Sequence, residues 1–239
     1  MAGSGLRFGG TFKPFLRIGE ETFIEAATRP FRDNKQALTE LVFVIRREHE
    51  REFGASRQLL KMFADTAHRV VILNDQTAGP LATVRSALAN DEVGGPIIAC
   101  DCDHSLDVSG ILAVAADPRG VDAAVPVWPI SREEAPSWAT ALVGRDGRIK
   151  VIREKQWPSG TGAVKGVIGC YVIRQPEIIR DSTEAEFSSL LGRLIDTGGQ
   201  VEALLPDWAE FFGDPIRLEG ALRNRLRGQG GLYIDGHGR

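Results

Sequence analysis

Short apolar runs alternate with amphipathic stretches between residues 41 and 137, and this alternation constrains the fold more than any other feature of the sequence. LVFVI, HRVVILND, GPIIACDCD and SGILAVAADP predict strands, whereas SRQLLKMFADTA and GPLATVRSALAN have the apolar spacing of helices. Strands that alternate with helices form a mostly parallel sheet with helices on both faces. We therefore predict an α/β fold, a three-layer α/β/α sandwich around a mixed, mostly parallel sheet.

The pattern changes after about residue 137. WATALVGRDGRIKVIRE predicts a β-hairpin that turns at residues 145–147, and AVKGVIGCYVI predicts a further strand. STEAEFSSLLGRLIDTGG predicts a helix with Ser182 or Thr183 as its N-cap, and DPIRLEGALRNRLRG predicts another. No internal repeat and no long linker interrupts the chain. We predict one domain over 1–227 and a C-terminal tail over 228–239, either complete or truncated.

Composition excludes several classes of protein. A chain of 239 residues suits one α/β domain, and its formal net charge of −3 argues against nucleic acid as a partner. Three cysteines are too few for a disulfide framework and predict a reducing cytoplasm. No apolar run approaches the roughly 18–20 residues that span a membrane, and no secretory signal opens the chain. The sequence predicts a soluble, cytoplasmic protein.

A glycine-rich loop opens the sequence, in MAGSGLRFGGTFKP. Gly3 and Gly5 allow the backbone to approach a phosphate closely, so that N–H groups point at the anion. Arg7 provides a planar fork for phosphate oxygens, and Lys13 adds a compact positive charge. The alternative is a disordered terminus, which the apolar continuation FKPFLRIGEETFIEAA disfavours.

Two acidic residues follow an apolar run in PIIACDCDHSL. Asp101 and Asp103 come at the end of the predicted strand, where open α/β sheets bind ligands. Their spacing of two puts both carboxylates on one face while the chain is extended. Such a pair suits Mg²⁺ held between protein and substrate phosphates. The alternatives are a solvated acidic loop and a helix N-cap.

The segment DQTAGPLATV is a candidate for reading a nucleobase. The amide of Gln76 can hydrogen-bond to a base edge, and Gly79 leaves room for a flat ring. For each residue taken alone, a plain turn and helix start explains the sequence equally well or better.

Taken in order, these segments resemble the sugar-phosphate nucleotidyltransferases. MAGSGLRFGGTFKPFLRIGEETFIEAA resembles that family's glycine loop, arginine, lysine–proline, hairpin and helix, which is the most specific of the motifs. QTAGPLATV resembles its base-reading segment, and DCDHSL resembles its metal-binding acid. IREK and GVIGCYVI resemble its sugar-binding glutamate–lysine pair and glycine strand, and LPDWAEFFGDPIRLEGAL resembles its late tryptophan–glycine–proline segment. The resemblance covers nearly the whole chain and is greatest to members from capsule and surface-polysaccharide loci.

The resemblance implies a GT-A-like, Rossmann-like fold and a nucleotidyl transfer from an NTP to a sugar-1-phosphate, with release of pyrophosphate and Mg²⁺ as cofactor. It implies catalytic roles for Arg7, Lys13 and Asp103, and metal binding by Asp103 with help from Asp101. It also implies ligand-binding roles for two further groups. These are Ala2, Gly3, Ser4, Gly5, Gln76 and Gly79 for the nucleotide, and Glu154, Lys155 and Gly169 for the sugar phosphate.

Two departures from the family pattern stand out. A hydrophobic strand precedes the glycine loop in the family, and this sequence begins inside the loop, so we expect either a late gene start or a fragment. The family commonly has a second metal-binding aspartate two residues before the late glycine, where this chain has Phe211. Glu210 and Asp214 lie nearby in the sequence, but neither occupies the matching position.

Two alternative functions follow from these observations. DCD is also the DxD motif of GT-A glycosyltransferases, although that interpretation leaves the glycine loop and Lys13-Pro14 unexplained. Phe211 and the absent strand favour a non-catalytic nucleotide- or sugar-binding homologue.

Overall fold

A computed structural model describes residues 8–9, 11–89 and 93–227, together with the backbone of Leu232–Tyr233. The chain divides into two compact units. The first unit comprises Met1–Gln76, Asp101–Val108 and Asp207–Arg239, and the second comprises Thr77–Cys100 and Ser109–Pro206. The single domain over 1–227 stays a prediction, and the tail over 228–239 lies almost wholly outside the described residues.

Helices and strands alternate in part of the described chain, whereas five successive strands occupy residues 123–173. The strands are β1 (Arg17–Ile18), β2 (Glu21–Thr22), β3 (Leu41–Arg46), β4 (His68–Leu73), β5 (Ile97–Cys100), β6 (His104–Leu106), β7 (Ala123–Pro129), β8 (Ala139–Val143), β9 (Ile149–Glu154), β10 (Ala163–Val167), β11 (Cys170–Ile173), β12 (Val201–Leu204), β13 (Trp208–Phe211) and β14 (Leu232–Tyr233). The α-helices are α1 (Phe23–Asp33), α2 (Arg47–Phe53), α3 (Ala55–Met62), α4 (Pro80–Leu88), α5 (Ser109–Ala116), α6 (Pro176–Arg180), α7 (Phe187–Asp196) and α8 (Pro215–Leu226). In the described part of the chain, no helix is both long enough and apolar enough to cross a membrane.

The start of the first unit is ordered by a helix cap. The Thr22 hydroxyl accepts a hydrogen bond from the Glu25 N–H, and the Glu25 carboxylate accepts one from the Thr22 N–H, at 3.3 and 2.8 Å. This reciprocal pair satisfies two backbone donors at the start of α1. Phe23 and Ile24 are buried on that helix. The segment after Lys13 therefore folds into a turn, a short hairpin and a helix, as its apolar sequence predicts.

An ion-pair network joins distant parts of the first unit. Arg225 on α8 donates to both oxygens of the Glu210 carboxylate, from Nε at 3.0 and 3.1 Å and from Nη2 at 2.6 Å. It also donates to the Ile18 carbonyl and to the Glu21 carboxylate, both at 3.0 Å. The Glu210 side chain is only 6% exposed. Because this carboxylate is so little hydrated, its negative charge is stabilised mainly by its cationic partner.

We expect Arg225→Ala to lower the free energy of unfolding by about 2–3 kcal/mol, because Glu210 would then be a buried charge without a cation. This value is below the range for fully buried pairs, since the Arg225 side chain is 21% exposed. Urea unfolding of wild type and Arg225→Ala measures this change in the free energy of unfolding. The matched control is Arg223→Ala, whose ion pair with Glu219 is 3.7 Å long and well exposed, and which should change stability by less than about 0.5 kcal/mol. Equal effects of the two substitutions would contradict the prediction.

The second unit contains a seven-stranded mixed sheet. Its strand order is β5-β11-β7-β10-β8-β9, and β12 also pairs with β7. All five residues of β7 from Ala123 to Val127 are buried. On one face, Ala123, Val125 and Val127 pack in a core with side chains of α4, α6 and α7, and α5 contacts β5, β7 and β11. The mixed α/β architecture is thereby confirmed.

The expectation of mostly parallel pairing is wrong. Among the described strands, only the β3–β4 and β12–β7 pairings are parallel, and the others are antiparallel. Part of the difference lies in residues 139–154, where a short connection joins β8 and β9. A short connection permits an antiparallel neighbour, whereas a parallel one needs a long crossover. The predicted hairpin turn at residues 145–147 is confirmed between β8 and β9, and Gly147 has the positive φ of 76° that such turns favour.

Two element predictions need correction. SGILAVAADP contains the helix α5, not a strand. Its small apolar residues are not interrupted by polar ones at regular intervals. The sequence therefore shows neither the spacing of an amphipathic helix nor the alternation of a strand. The predicted helix after Ser182 begins at Phe187, with Glu186 as N-cap. Ser182 instead donates its hydroxyl to the Ile179 carbonyl at 2.6 Å.

Candidate active site

Lys13 and Asp103 form a direct ion pair in the first unit. The Lys13 Nζ atom lies 2.6 Å from Asp103 Oδ2, although the two residues are 90 positions apart. Lys13 begins a single 3-10 turn, Lys13–Phe15, in which Pro14 is buried. Asp103 directly precedes β6. The pair is partly exposed, with side-chain exposures of 20% and 28%, so a ligand in solvent can reach both groups.

The surroundings of Asp103 keep its carboxyl group ionised. Partial burial alone would raise its pKa, but the hydrogen bond from His104 and the positive charge of Lys13 hold the pKa of Asp103 well below its usual range. His104 Nδ1 lies 3.4 Å from Asp103 Oδ1. Although Asp101 is exposed, crowding by protein atoms and the nearby Asp103 carboxylate raise its pKa to about 6. Of the two carboxylates, Asp103 is therefore the stronger candidate for one that stays ionised and binds a cation.

The late glycine of the family-like segment packs directly against Asp103. A Cβ atom built on Gly213 would lie 2.6 Å from Asp103 Oδ2, which is closer than real contacts allow. The neighbouring Phe212 N–H donates to the Asp103 carbonyl at 3.0 Å. β13 pairs with β6 so that Phe211 is opposite His104. The late segment thus reaches the predicted metal-binding aspartate, and a side chain at position 213 would have to displace the Asp103 carboxylate.

Neither nearby acid replaces an aspartate at position 211 in this structure. The Glu210 carboxylate is bound by Arg225. Asp214 caps α8 by accepting the Arg217 N–H at 2.9 Å. Among the described residues, no three His, Cys, Asp or Glu side chains are grouped so as to hold a metal ion by themselves. A cation at Asp103 would therefore need ligands from the substrate.

Gln76 is exposed and lies at the edge of a polar cluster around the end of β3. Its Oε1 atom is 3.5 Å from Arg46 Nη1. Arg46 itself is 7% exposed and also contacts Glu48 and His49. Both ring nitrogens of His49 face donors of Arg46, the backbone N–H at 3.4 Å and Nη2 at 3.0 Å. This environment disfavours a cationic imidazole, because a doubly protonated ring has no acceptor.

Burial, followed by the charge of Arg46, lowers the pKa of His49 to about 4. The unfolded chain, with a His pKa near 6.5, then binds more protons than the folded chain between these pH values, so stability falls as the pH drops through that window. Between pH 7.5 and pH 5, His49 should remove about 2 kcal/mol of stability. Urea unfolding of wild type and His49→Gln at both pH values tests this. Identical pH dependence in the two proteins would contradict it.

The glycine loop itself cannot be placed. Ala2, Gly3, Ser4, Gly5 and Arg7 lie outside the described residues. Their roles in holding a triphosphate stay predictions.

Gly79 is explained by a close approach of the protein to itself. In the second unit, a Cβ atom on Gly79 would lie 2.5 Å from the Ala185 carbonyl oxygen and 2.7 Å from Glu186 Oε1. The N–H groups of Leu81 and Ala82, at the start of α4, donate to the same carbonyl at 2.9 and 3.3 Å. The space that we assigned to a base is, on this side of Gly79, filled by residues 185–186. A role in nucleotide binding stays a prediction.

Glu154 ends β9 in the second unit, and Lys155 directly follows the strand. Lys155 has the unusual positive φ of 55°, and its N–H donates to the Trp138 carbonyl at 2.9 Å. The two side chains extend into solvent, with Lys155 Nζ 4.0 Å from Glu154 Oε1. Ser188, on α7, donates to Glu154 Oε2 at 2.9 Å. Gly169 forms the bend between β10 and β11 and is partly exposed.

Sequence reasoning missed several partners of these candidates. His104 immediately follows Asp103, but a neighbouring histidine alone is not a signal for a role. Gly213 lay within a segment recognised by resemblance, and its contact with Asp103 depends on the β6–β13 pairing. Ser188 is an ordinary residue of a predicted helix, and no local signal links it to Glu154, which lies 34 residues earlier.

Comparison with solved structures finds the same fold in several enzymes. One is a nucleoside-diphosphate-sugar pyrophosphorylase from Vibrio cholerae RC9, which is 18% identical with a TM-score of 0.70, covering 93% of this chain and 98% of the other. An inositol-1-phosphate CTP transferase from T. maritima is 15% identical with a TM-score of 0.71, covering 97% and 95%. A putative glucose-1-phosphate thymidylyltransferase from Bacillus anthracis is 15% identical with a TM-score of 0.74, covering 98% and 95%.

The sequence itself matches a family. No curated protein matches this sequence. The family model described as the MobA-like NTP transferase domain matches residues 1–172, which include Lys13, Asp103 and the Glu154-Lys155 pair. Since this match spans well over half of the 239 residues, the chain belongs to the MobA-like NTP transferase domain family.

Proposed function

We propose that this protein transfers a nucleoside monophosphate from an NTP to a sugar-1-phosphate, or to a similar phosphorylated polar alcohol. A phosphate oxygen of the acceptor attacks the α-phosphorus of the NTP, and the bond to the leaving pyrophosphate breaks. The product is an activated sugar of the kind used to build surface polysaccharides. The family supports the nucleotidyl transfer, and the acceptor is the proposed part.

The contact between Lys13 and Asp103 carries this proposal. It puts a cation and an ionised carboxylate 2.6 Å apart at a solvent-accessible position. In phosphoryl and nucleotidyl transfer, negative charge accumulates on the phosphates in the transition state, and the protein acts by positioning and by neutralising that charge. Lys13 is suited to contact the phosphates directly. Asp103 would act through a bound cation.

The donor set around Asp103 fits Mg²⁺. Mg²⁺ is commonly held by one or two carboxylates together with waters and substrate phosphates. This matches a site with Asp103 and Asp101, to which the described part of the chain adds no third metal-binding side chain. The ionised state of Asp103 agrees with this assignment, because its low pKa leaves it charged at neutral pH. The chemistry supplied by bound Mg²⁺ is neutralisation of the phosphate charge.

The second unit carries the residues proposed for the acceptor. Glu154 can accept hydrogen bonds from sugar hydroxyls, and its Oε2 atom is oriented by Ser188. Lys155 carries a positive charge suited to the acceptor phosphate, and its side chain is 60% exposed. Gly169 stays the candidate for close approach of the sugar.

A panel of NTPs and sugar-1-phosphates with Mg²⁺, assayed for pyrophosphate, tests the proposal. Pyrophosphate should appear only when both substrates are present, together with an equal amount of nucleotide sugar. A glycosyltransferase with a DxD motif would instead release a nucleoside diphosphate from a nucleotide sugar. A binding protein would retain ligands and release neither. Either of these two results would contradict the proposal.

A further inference from the structure

Glu186 is held in a fixed position in the second unit. The preceding Ala185 carbonyl accepts hydrogen bonds from two N–H groups at the start of α4, and Glu186 is the N-cap of α7. Its Oε1 atom approaches Gly79 so closely that a Cβ there would be 2.7 Å away. The backbone at residues 185–186 is thus held against the start of α4, and the Glu186 carboxylate lies beside Gly79.

The Glu186 carboxylate receives no hydrogen bond from the part of the chain that the structure describes. Within the described residues, no hydrogen bond or ion pair is made by this half-buried side chain. Two neighbouring glutamates differ in this respect. Glu184 is bound by Arg193, and Glu154 accepts the Ser188 hydroxyl. A carboxylate that is partly withdrawn from water and receives no hydrogen bond has unused acceptor capacity.

The charge around Glu186 limits which chemical groups of a ligand can bind there. Partial burial and the like charge of Glu154 raise the pKa of Glu186, and the positive charge of Lys155 opposes them. A phosphate group would add to this repulsion, whereas neutral hydroxyl groups bring hydrogen-bond donors without negative charge. Two nearby carboxylates, at Glu154 and Glu186, match a ligand part that presents more than one hydroxyl.

We propose that Glu186 is a specificity-determining residue that accepts hydrogen bonds from sugar hydroxyls beside those bound by Glu154. The acceptor is then a sugar phosphate with adjacent free hydroxyls, and a substrate that lacks the hydroxyl facing Glu186 is rejected. This inference rests on the proposed function, because it concerns the acceptor of that reaction. Ser188 supports it indirectly, by orienting Glu154 from the same helix that begins after Glu186.

Kinetics with the best NTP and sugar-1-phosphate pair test the inference. Hydrogen bonds to a charged group are strong, so Glu186→Ala should raise the KM for the sugar phosphate about 10- to 100-fold. The KM for the NTP and kcat should each stay within about twofold of wild type, because the inference assigns the carboxylate to sugar hydroxyls and not to the nucleotide or the reacting atoms. Glu184→Ala is the matched control, since it removes a glutamate two residues away that is already paired.

Deoxy analogues of the sugar phosphate give a second readout. Wild type should discriminate against one of them by at least about tenfold in kcat/KM, and Glu186→Ala should lose that discrimination. Glu186→Gln, which keeps the shape of the side chain, should show a weaker form of the same change. An unchanged sugar KM, or a raised KM for the NTP instead, would overturn the inference in either variant.

Failure of the proposed function would look different. If wild type transfers no nucleotide with any pair of substrates, the function is wrong, and Glu186 is then judged by calorimetric titration of the same sugar-1-phosphates into wild type and Glu186→Ala. Weaker binding by the variant supports the role of Glu186 in holding a sugar. Equal binding, or no binding to either protein, overturns it.

Discussion

Lys13→Ala is expected to reduce kcat about 10²- to 10³-fold, with a much smaller change in the melting temperature. Removal of one preorganised electrostatic contact to charge that develops in a transition state typically costs about 3–4 kcal/mol. Lys13 is placed to make such a contact, because its ammonium group is held at Asp103 and remains accessible. Steady-state rates of pyrophosphate release with saturating NTP and sugar phosphate measure the effect. Extra Mg²⁺ should not restore the rate.

The control for Lys13→Ala is Lys150→Ala. Lys150 forms an ion pair of the same length, 2.6 Å, with Asp146 at the exposed hairpin turn between β8 and β9. Neither Lys150 nor Asp146 is assigned a part in the chemistry, so loss of this pair should leave turnover unchanged. If Lys13→Ala turned over at the wild-type rate in an active preparation, Lys13 would be a solvated surface charge and the site assignment would fall.

Asp103→Asn should lower activity by at least about 10²-fold at limiting Mg²⁺, and part of this loss should be recovered at high Mg²⁺. Asparagine keeps the shape of the side chain that packs against Gly213 but removes the negative charge that a cation requires. The signature is therefore a shift in the Mg²⁺ concentration for half-maximal rate. Titrations of Mg²⁺ at fixed substrate concentrations measure it for both proteins.

Asp146→Asn is the corresponding control, since it removes the charge of the carboxylate that pairs with Lys150. It should have the wild-type Mg²⁺ dependence. A uniform loss of rate in Asp103→Asn, with an unchanged Mg²⁺ midpoint, would show that Asp103 acts by holding Lys13 rather than by binding a cation.

Much of the fold could be predicted where local physics decides it. The parallel strands β3 and β4, the helix α4 after Gly79-Pro80 and the hairpin that turns near Gly147 follow from apolar periodicity and turn chemistry. The strand β6 was missed because its three residues give too short a pattern, and its existence depends on pairing with β13, about a hundred residues later. Non-local pairing of this kind leaves no local signal.

The candidate site was predictable in its residue types and less so in its contacts. Asp103 was singled out because it follows an apolar strand, and Lys13 because of the motif around it. Their direct contact, and the burial of Gly213 against the carboxylate, come from the tertiary arrangement. Gly79 shows the reverse case. We singled it out because a glycine leaves room for a ligand, but the close approach of the Ala185 carbonyl also accounts for a glycine there.

The three-part composition of the first unit has a consequence for how the protein is made. Arg225 bonds to Glu21 across 204 residues of chain, and Glu210 and Gly213 also belong to the last segment of this unit. During translation, the N-terminal part of the first unit is therefore synthesised long before its partners in the segment that begins at Asp207. The second unit, by contrast, has its whole sequence once Pro206 has been synthesised. Contacts of such long separation are formed slowly and leave surface exposed in the meantime. The nascent chain with Lys13 and Asp103 is thus expected to need chaperone protection until α8 emerges.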